Sequence, residues 1–292
     1  MPSADLIKSV KLFSLFHFYD IVVGGGEVMS RQKALADRNQ YVVKANDLIR
    51  KTRYNLTTQQ QKIVLFAISK IKPDDPVYTR YEINLEELCE ACGLNLDAGG
   101  YYYKSLKEDL KKLSQREWCV MPDGTEQTIS WIGDATIVPL NSTVYITFNP
   151  NMEPYLFELK TRYTQYKLQN VLVFKGKYSI RLYEILRSYI TQKEIENGVE
   201  KDIEIYIDEL RKTLSVSSYP RWADFDRYVV INAIKEINEC AEDIHIEYET
   251  IREGRQIKKI NFIITAAKAK QMLNAHYKKR ARLDKDPYSK SL

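Results

Sequence analysis

Apolar residues recur at helical spacing in "TTQQQKIVLFAISKI", Thr57 to Ile71, behind a threonine able to cap a helix and ahead of a closing "KPDDP". "VYTRYEI" then alternates like a strand, and "NLEELCEACGL" reads as a short helix stopped at Gly93. "GGYYYKSLKEDLKKLSQ" predicts a longer helix. Two β-rich segments follow: "EWCVMPDGTEQTISWIG", turning at Pro-Asp-Gly, and "ATIVPLNSTVYITFNP", turning at Asn-Ser. From Lys177 the series runs again. "KYSIRLYEILRSYITQK" is a helix with Ile180, Tyr183, Leu186 and Ile190 near one face, "DIEIYI" a strand, and "DELRKTLSV" a short helix. "PRWADFDRYVVINAIKEINE" is a long helix, and "IHIEYETIREGRQIKKINFIITAAK" two strands joined at Arg-Glu-Gly-Arg. "EINLEEL" (Glu82 to Leu88) corresponds to "IYIDEL" (Ile205 to Leu210), roughly 120 residues later. The pattern predicts two copies of one unit, joined between about Pro150 and Lys177.

A short helix, a tight corner, a longer helix and a hairpin make up the winged helix-turn-helix. In that motif the second helix presents its N-terminal residues to base edges and the hairpin lies on flanking backbone. The predicted class is therefore α+β, with tandem winged-helix domains. "SVSSYPR" is the corner of the second unit and "RWADFDRYVV" the start of its recognition helix. The expected division is a leader or arm over 1–40, a first winged helix over 41–160, a second over 161–270 and a basic tail over 271–292.

Within the recognition helix, Phe225, Val229, Ala233 and Ile237 repeat every four residues and are expected in the core. Arg221, Asp224, Arg227, Tyr228 and Lys235 then face outward. Arg221 and Arg227 suit guanine or phosphate, although outward charges on a helix can be merely solvated. Asp224 and Asp226 argue against simple phosphate binding and suit orienting an arginine or accepting from cytosine. Ser217, Ser218 and Tyr219 could bond phosphate at the helix start, or the serines could simply cap it. Trp222 sits in the same segment. In the wing, Arg252, Arg255, Lys258 and Lys259 make a basic tip or a solvated turn. In the first unit, Tyr101, Tyr102, Tyr103, Lys104 and Lys107 begin the long helix in the position equivalent to Arg221 and could touch DNA backbone, with core and interface packing the alternative.

Composition adjusts this picture. The chain has 292 residues, 44% hydrophobic and 28% charged, including 21 tyrosines. Its net charge of +5 is concentrated: Lys268 to Leu292 carries about +6, leaving the body near −1. A polyanion site must therefore come from charge segregated onto one face. The tail reads as a nonspecific DNA-binding extension or a solubilising end. Four cysteines without a disulfide pattern suggest a reducing compartment, by default the cytosol. Cys89 and Cys92 form C-x-x-C, but Cys119 and Cys240 are single and distant, so buried thiols are expected rather than zinc. "GGGEVMS" lacks the lysine and spacing of a phosphate loop. His17, His245 and His276 are scattered, leaving neither the metal-binding His pair of a nicking enzyme nor a catalytic triad. No enzyme activity, metal or cofactor is expected. The apolar run before Gly24 is broken by His17 and Asp20 and is too short to span a membrane. Residues 1–28 read either as a translated leader before a start at Met29 or as an N-terminal arm.

"NLTTQQQKIVLFAISKI", "KYSIRLYEILRSY", "IDELRKTL" and "FDRYVVINAIKEINE", with the hairpin that follows, resemble the replication initiator proteins of iteron-containing bacterial plasmids. The resemblance covers roughly Gln40 to Ala269. It implies two winged-helix domains, the C-terminal one reading repeated origin sequences and the N-terminal one giving backbone contacts and a dimer interface. Monomers would bind double-stranded origin repeats and help open an A+T-rich segment; dimers would repress the initiator's own gene. The host initiator and replicative helicase would be partners, without a cofactor. By matching position, Tyr219, Arg221, Trp222 and Arg227 fall in the recognition segment. The two acidic residues early in that helix and the stretch before Met29 depart from the pattern. A transcriptional regulator of the same fold, a nicking replication enzyme and a protein-interaction scaffold are the rivals.

Overall fold

The computed structural model describes residues 40–94, 101–121 and 123–267. The expected leader before Met29 and the basic tail over 271–292 lie outside them.

In chain order the elements are β1 (Tyr41–Ala45), α1 (Asn46–Arg50), α2 (Thr58–Ile68), β2 (Tyr81–Asn84), α3 (Leu85–Cys92) and α4 (Tyr101–Ser114). Then come β3 (Glu117–Val120), β4 (Glu126–Ile129), β5 (Ile132–Val138), β6 (Thr143–Phe148), α5 (Glu153–Leu156), β7 (Tyr163–Lys167) and α6 (Gln169–Leu172). The second series is α7 (Lys177–Arg187), α8 (Gln192–Glu196), β8 (Lys201–Tyr206), α9 (Ile207–Thr213), α10 (Trp222–Phe225), α11 (Ile231–Cys240), β9 (Ile244–Glu253) and β10 (Gln256–Ala266). A π-helical turn, Asp226–Val230, runs α10 into α11.

The expected repeat is present at the level of strand pairing. One sheet has the order β2-β6-β5 and the other β8-β10-β9, both antiparallel. Ile83 pairs with Val144 where Ile205 pairs with Ile260, and all four are buried. In each unit the strand's last residue is the N-cap of the short helix, which buries Leu85 and Leu88 in one and Ile207 and Leu210 in the other. Gly93 ends α3 in the left-handed region at φ 71°, where glycine escapes the Cβ penalty.

α2 begins with a capping box: Thr57 Oγ1 accepts from the Gln60 N–H, and the Gln60 side chain accepts from the Thr57 N–H. Its residues Gln60 through Ile68 are all buried, so the helix is covered on every side. The polar members are accommodated individually; the Gln60 amide donates to Asp109 at 2.8 Å.

The connection between the units is structured. β7 pairs antiparallel with β1, Tyr41 opposite Lys167 and Ala45 opposite Tyr163, so the strand after residue 160 closes against the start of the first unit. α7 then packs against α1 and α2 on one side and α11 on the other. Ile180, Tyr183, Leu186 and Ile190 are buried as expected, but so are Arg181, Glu184 and Arg187. Lys44 Nζ meets Glu184 Oε1 at 2.8 Å and Tyr166 Oη donates to the same oxygen at 2.6 Å. Arg181 lies 3.5 Å from the other oxygen and donates to the Ile49 and Thr52 carbonyls. Burial alone would push the Glu184 carboxyl up; Lys44 and Arg181 outweigh it and hold it below the usual glutamate value. Arg187 and Tyr183 both reach Asp243, just ahead of β9. The joint between the units is thus a largely buried frame in which Lys44, Arg181 and Arg187 meet Glu184 and Asp243.

Candidate nucleic-acid interface

α9 carries Asp208 and Glu209 in its first turn and Arg211 and Lys212 in its last, the order that suits the helix dipole. Beyond Leu214 the chain reverses through two non-glycine residues with positive φ, Ser215 (52°) and Tyr219 (63°). Such conformations persist only when surroundings hold them. Backbone bonds to the last turn of α9 hold Ser215, and at Tyr219 Arg211 does so. Its guanidinium donates to the carbonyls of Tyr219 (2.5 Å), Arg221 (3.3 Å) and Pro220 (3.5 Å), and lies 4.1 Å from the centre of the Phe225 ring. One side chain on the bracing helix thereby sets where the recognition helix begins.

That helix starts with Arg221 at its N-cap and no side-chain cap bond. The Ser217 and Ser218 hydroxyls, expected to bond phosphate or cap the helix, do not cap it; both residues are exposed on the corner. Phe225, Val229, Ala233 and Ile237 face the core, each no more than 1% exposed. The Arg221 side chain is 81% exposed, and its Nε donates to Asp224 Oδ2 at 2.7 Å. Asp224 therefore orients an arginine. Asp226 instead accepts from Tyr248 Oη at 2.7 Å, tying the π-helical turn to wing strand β9. Burial and that acceptor together raise the Tyr248 phenol well above its usual value, so it remains a donor.

The π-helical turn places two consecutive residues, Arg227 and Tyr228, on the exposed side between buried Phe225 and Val229. π turns often mark functional positions in helices. Arg227 lies over the Tyr228 ring at 5.5 Å, and that ring stacks on Tyr219 at 5.1 Å, 25° from parallel. Trp222 is half-buried, its ring edge-on to Phe225 at 6.1 Å, so part of it serves the core.

The wing projects past its sheet. β8 ends opposite Lys259, and the β9–β10 hairpin continues beyond it to a turn at Gly254 (φ 64°). A register shift between Ile257 and Lys259 bulges Lys258 out of the ladder. Arg252, Arg255 and Lys258 are exposed. Lys259 faces the sheet instead, 3.0 Å from Glu204 and over the Tyr206 ring. Between wing and helix mouth lies a cleft of about 540 Å³, lined by Arg211, Pro220 and Trp222 on one side and Arg252, Arg255 and Lys258 on the other. Residues far apart in sequence thus form one basic groove. Lys104 and Lys107 stand exposed on α4 of the first unit, outside this groove; Tyr102 and Tyr103 pack partly against the core.

Arg211 and Tyr248 were not singled out by sequence reasoning. A basic residue four positions after buried Ile207 on "IDELRKTL" was the available signal for the first; alternation in "IHIEYET" gave none for the second. Among the described residues no group of three or more His, Cys, Asp or Glu could hold a metal. Cys89 is buried, its thiol pushed up to about 11, and burial raises Cys92 as well. No helix among the described residues is long and apolar enough to cross a membrane.

Comparison with known proteins places this geometry. The chain matches the family model described as "Initiator Replication protein, WH1" over residues 41–187, and "Initiator Rep protein, WH2" over 206–264. It is similar to a "Replication initiation protein" from Escherichia coli, 27% identical over 203 residues, covering 68% of this chain and 61% of that protein's length. Its fold is like that in "Crystal structure of Pi initiator protein in complex with iteron DNA", with TM-score 0.64 and 20% identity over 78% of this chain and 98% of that one. The first model alone spans half of the chain and the second takes in the groove-bearing unit, so the protein belongs to the initiator replication protein family, built from two winged-helix domains.

Proposed function

We propose that this protein initiates plasmid replication by binding repeated double-stranded origin sequences. The observation that carries the reading is the groove between the recognition helix and the wing, with Arg211, Arg252, Arg255 and Lys258 on its walls and Arg221, Arg227 and Tyr228 projecting from the helix beside it. The helix faces base edges in the major groove; the wing and corner meet phosphates on either side. The solved Pi initiator, which shares the fold, was crystallised with iteron DNA. Lys104 and Lys107 of the first unit add backbone contacts, and that unit also mediates self-association.

Several copies on adjacent repeats strain the duplex and open a neighbouring A+T-rich segment, whose flexible steps yield first. The host initiator and replicative helicase are recruited to the opened region, and dimers repress the initiator's own gene in the cytoplasm. The protein acts by binding, with no catalytic step or cofactor of its own; supercoiled plasmid incubated with it and magnesium should stay covalently closed. Footprinting of the full chain on its upstream plasmid DNA across a salt series, with permanganate to detect unpaired thymine, tests the reading. Regular protections with permanganate reactivity beside them are expected. A single protected operator that never becomes reactive would replace initiation by transcriptional regulation, and no protection at moderate salt would leave a protein-interaction scaffold.

A further inference from the structure

We propose that Ile231 is a specificity residue that contacts the 5-methyl group of a thymine in the major groove. The inference rests on the DNA-binding reading above and deepens it. Asp224, Arg227, Ile231 and Lys235 follow one another at helical spacing on the face opposite the buried stripe. In the middle of this charged face Ile231 is 43% exposed, and Tyr228, three residues earlier, is 47% exposed.

An isolated exposed apolar residue needs no explanation; the position of this one suggests a role. It stands one turn beyond Arg227, on the surface that faces the duplex. An isoleucine has no donor or acceptor, and the one apolar feature that a base pair shows in the major groove is the thymine methyl. β-Branching confines its χ1 in a helix, so contact costs little side-chain freedom. The neighbouring Asn232 turns its amide back toward the Tyr228 carbonyl at 3.4 Å. Four residues separate Ile231 from Arg227, about 6 Å along a helix, or about two base steps of 3.4 Å. The thymine is therefore placed within about two base pairs of the position met by Arg227.

The test uses the full chain and a duplex carrying one cognate repeat. Each thymine is replaced singly by deoxyuridine, which removes only the methyl group, and Arg227→Ala binding to base-substituted duplexes marks the neighbouring position. Wild type should lose about fourfold in affinity at one such thymine, the worth of one buried methyl. Ile231→Ala should bind the thymine and deoxyuridine duplexes equally, and Ile231→Val should keep part of the difference. The inference is overturned if no thymine near the Arg227 position shows the loss, or if Ile231→Ala shows it undiminished. Failure of wild type to bind even the unmodified repeat would overturn the functional reading, and this inference with it. Should Ile231→Ala not fold, Ile231→Val decides: full wild-type sensitivity in that variant together with an unmoved Arg227 position counts against the contact.

Discussion

In the second unit Arg211 closes the corner onto three carbonyls; in the first, the equivalent position by the match of Leu88 with Leu210 is Cys89, a buried thiol. The wings differ similarly. The β9–β10 hairpin extends past its sheet and carries Arg252, Arg255 and Lys258, whereas the β5–β6 connection is a short turn, Pro139–Asn141, whose Leu140 is 97% exposed. The long helices differ again: Arg221 projects at the mouth of α10 and Arg227 and Tyr228 from the π-helical turn that follows it, whereas lysines project from α4. The sheets have the same strand order and equivalent pairings. Topology is therefore common property, and the second unit departs from it in the three places on which the proposed reading of sequence rests: the clamp at the corner, the outward face of the helix and the tip of the wing.

Removing the frame both units share should have the largest effect. Glu184→Ala would leave Lys44 and Arg181 buried without their carboxylate and should cost about 3–5 kcal/mol, read as a lowered urea midpoint for the whole chain. A midpoint within error of wild type would show that the units do not depend on α7. Arg211→Ala comes next, at about 1.5–3 kcal/mol for loss of charge-assisted bonds to carbonyls. It should also abolish preference for the cognate repeat while nonspecific binding persists; unchanged discrimination would mean that the corner holds without its clamp.

Arg227→Ala should weaken cognate binding by about 1–3 kcal/mol and relax preference at one base position. The contrasting change in the first unit, Lys104→Ala with Lys107→Ala, should weaken all sequences alike and flatten the slope of log K against log salt by about 2. A sequence-selective loss from the lysine pair would erase the division of labour between the units.

The smallest effect separates two helix caps of the same design. Thr57 and Gln60 cap α2 with a neutral partner, while Thr191 and Glu194 cap α8 with a carboxylate. Bonds from Lys201 and from Thr191 lower Glu194 to about 2. A depressed carboxylate contributes stability that is complete above its ordinary value near 4.5 and is lost as pH falls toward about 2. The urea midpoints of wild type and Glu194→Gln should therefore differ slightly at neutral pH and converge through that acid window. A difference that persists at pH 2 would assign the effect to packing.

The repeated order of elements was legible because it rests on local signals. Thr57 at a cap, Gly93 at a stop, alternation in "DIEIYI" and the four-residue stripe from Phe225 to Ile237 act within a few residues of themselves, and the fold keeps them. The sequence also placed Arg221, Arg227 and Tyr228 outward, since a helix that buries one stripe must expose the opposite one. It did not show that Lys259 would turn to Glu204, that Asp226 would take Tyr248, or that α7 would be buried on all sides. In each case the deciding partner comes from another element.

By itself, then, the sequence determined two winged helices, their order and the face of the recognition helix that meets solvent, because hydrophobic periodicity and caps are properties of contiguous chain. Only the tertiary structure decided which charges are free and which are spent. Arg181 and Glu184 read as surface residues of a helix until Lys44 arrives from a strand about 140 positions away, and Arg211 reads as one more basic residue until the chain turns back across it. Pairing over such distances depends on where packing brings the backbone, and no local pattern encodes that.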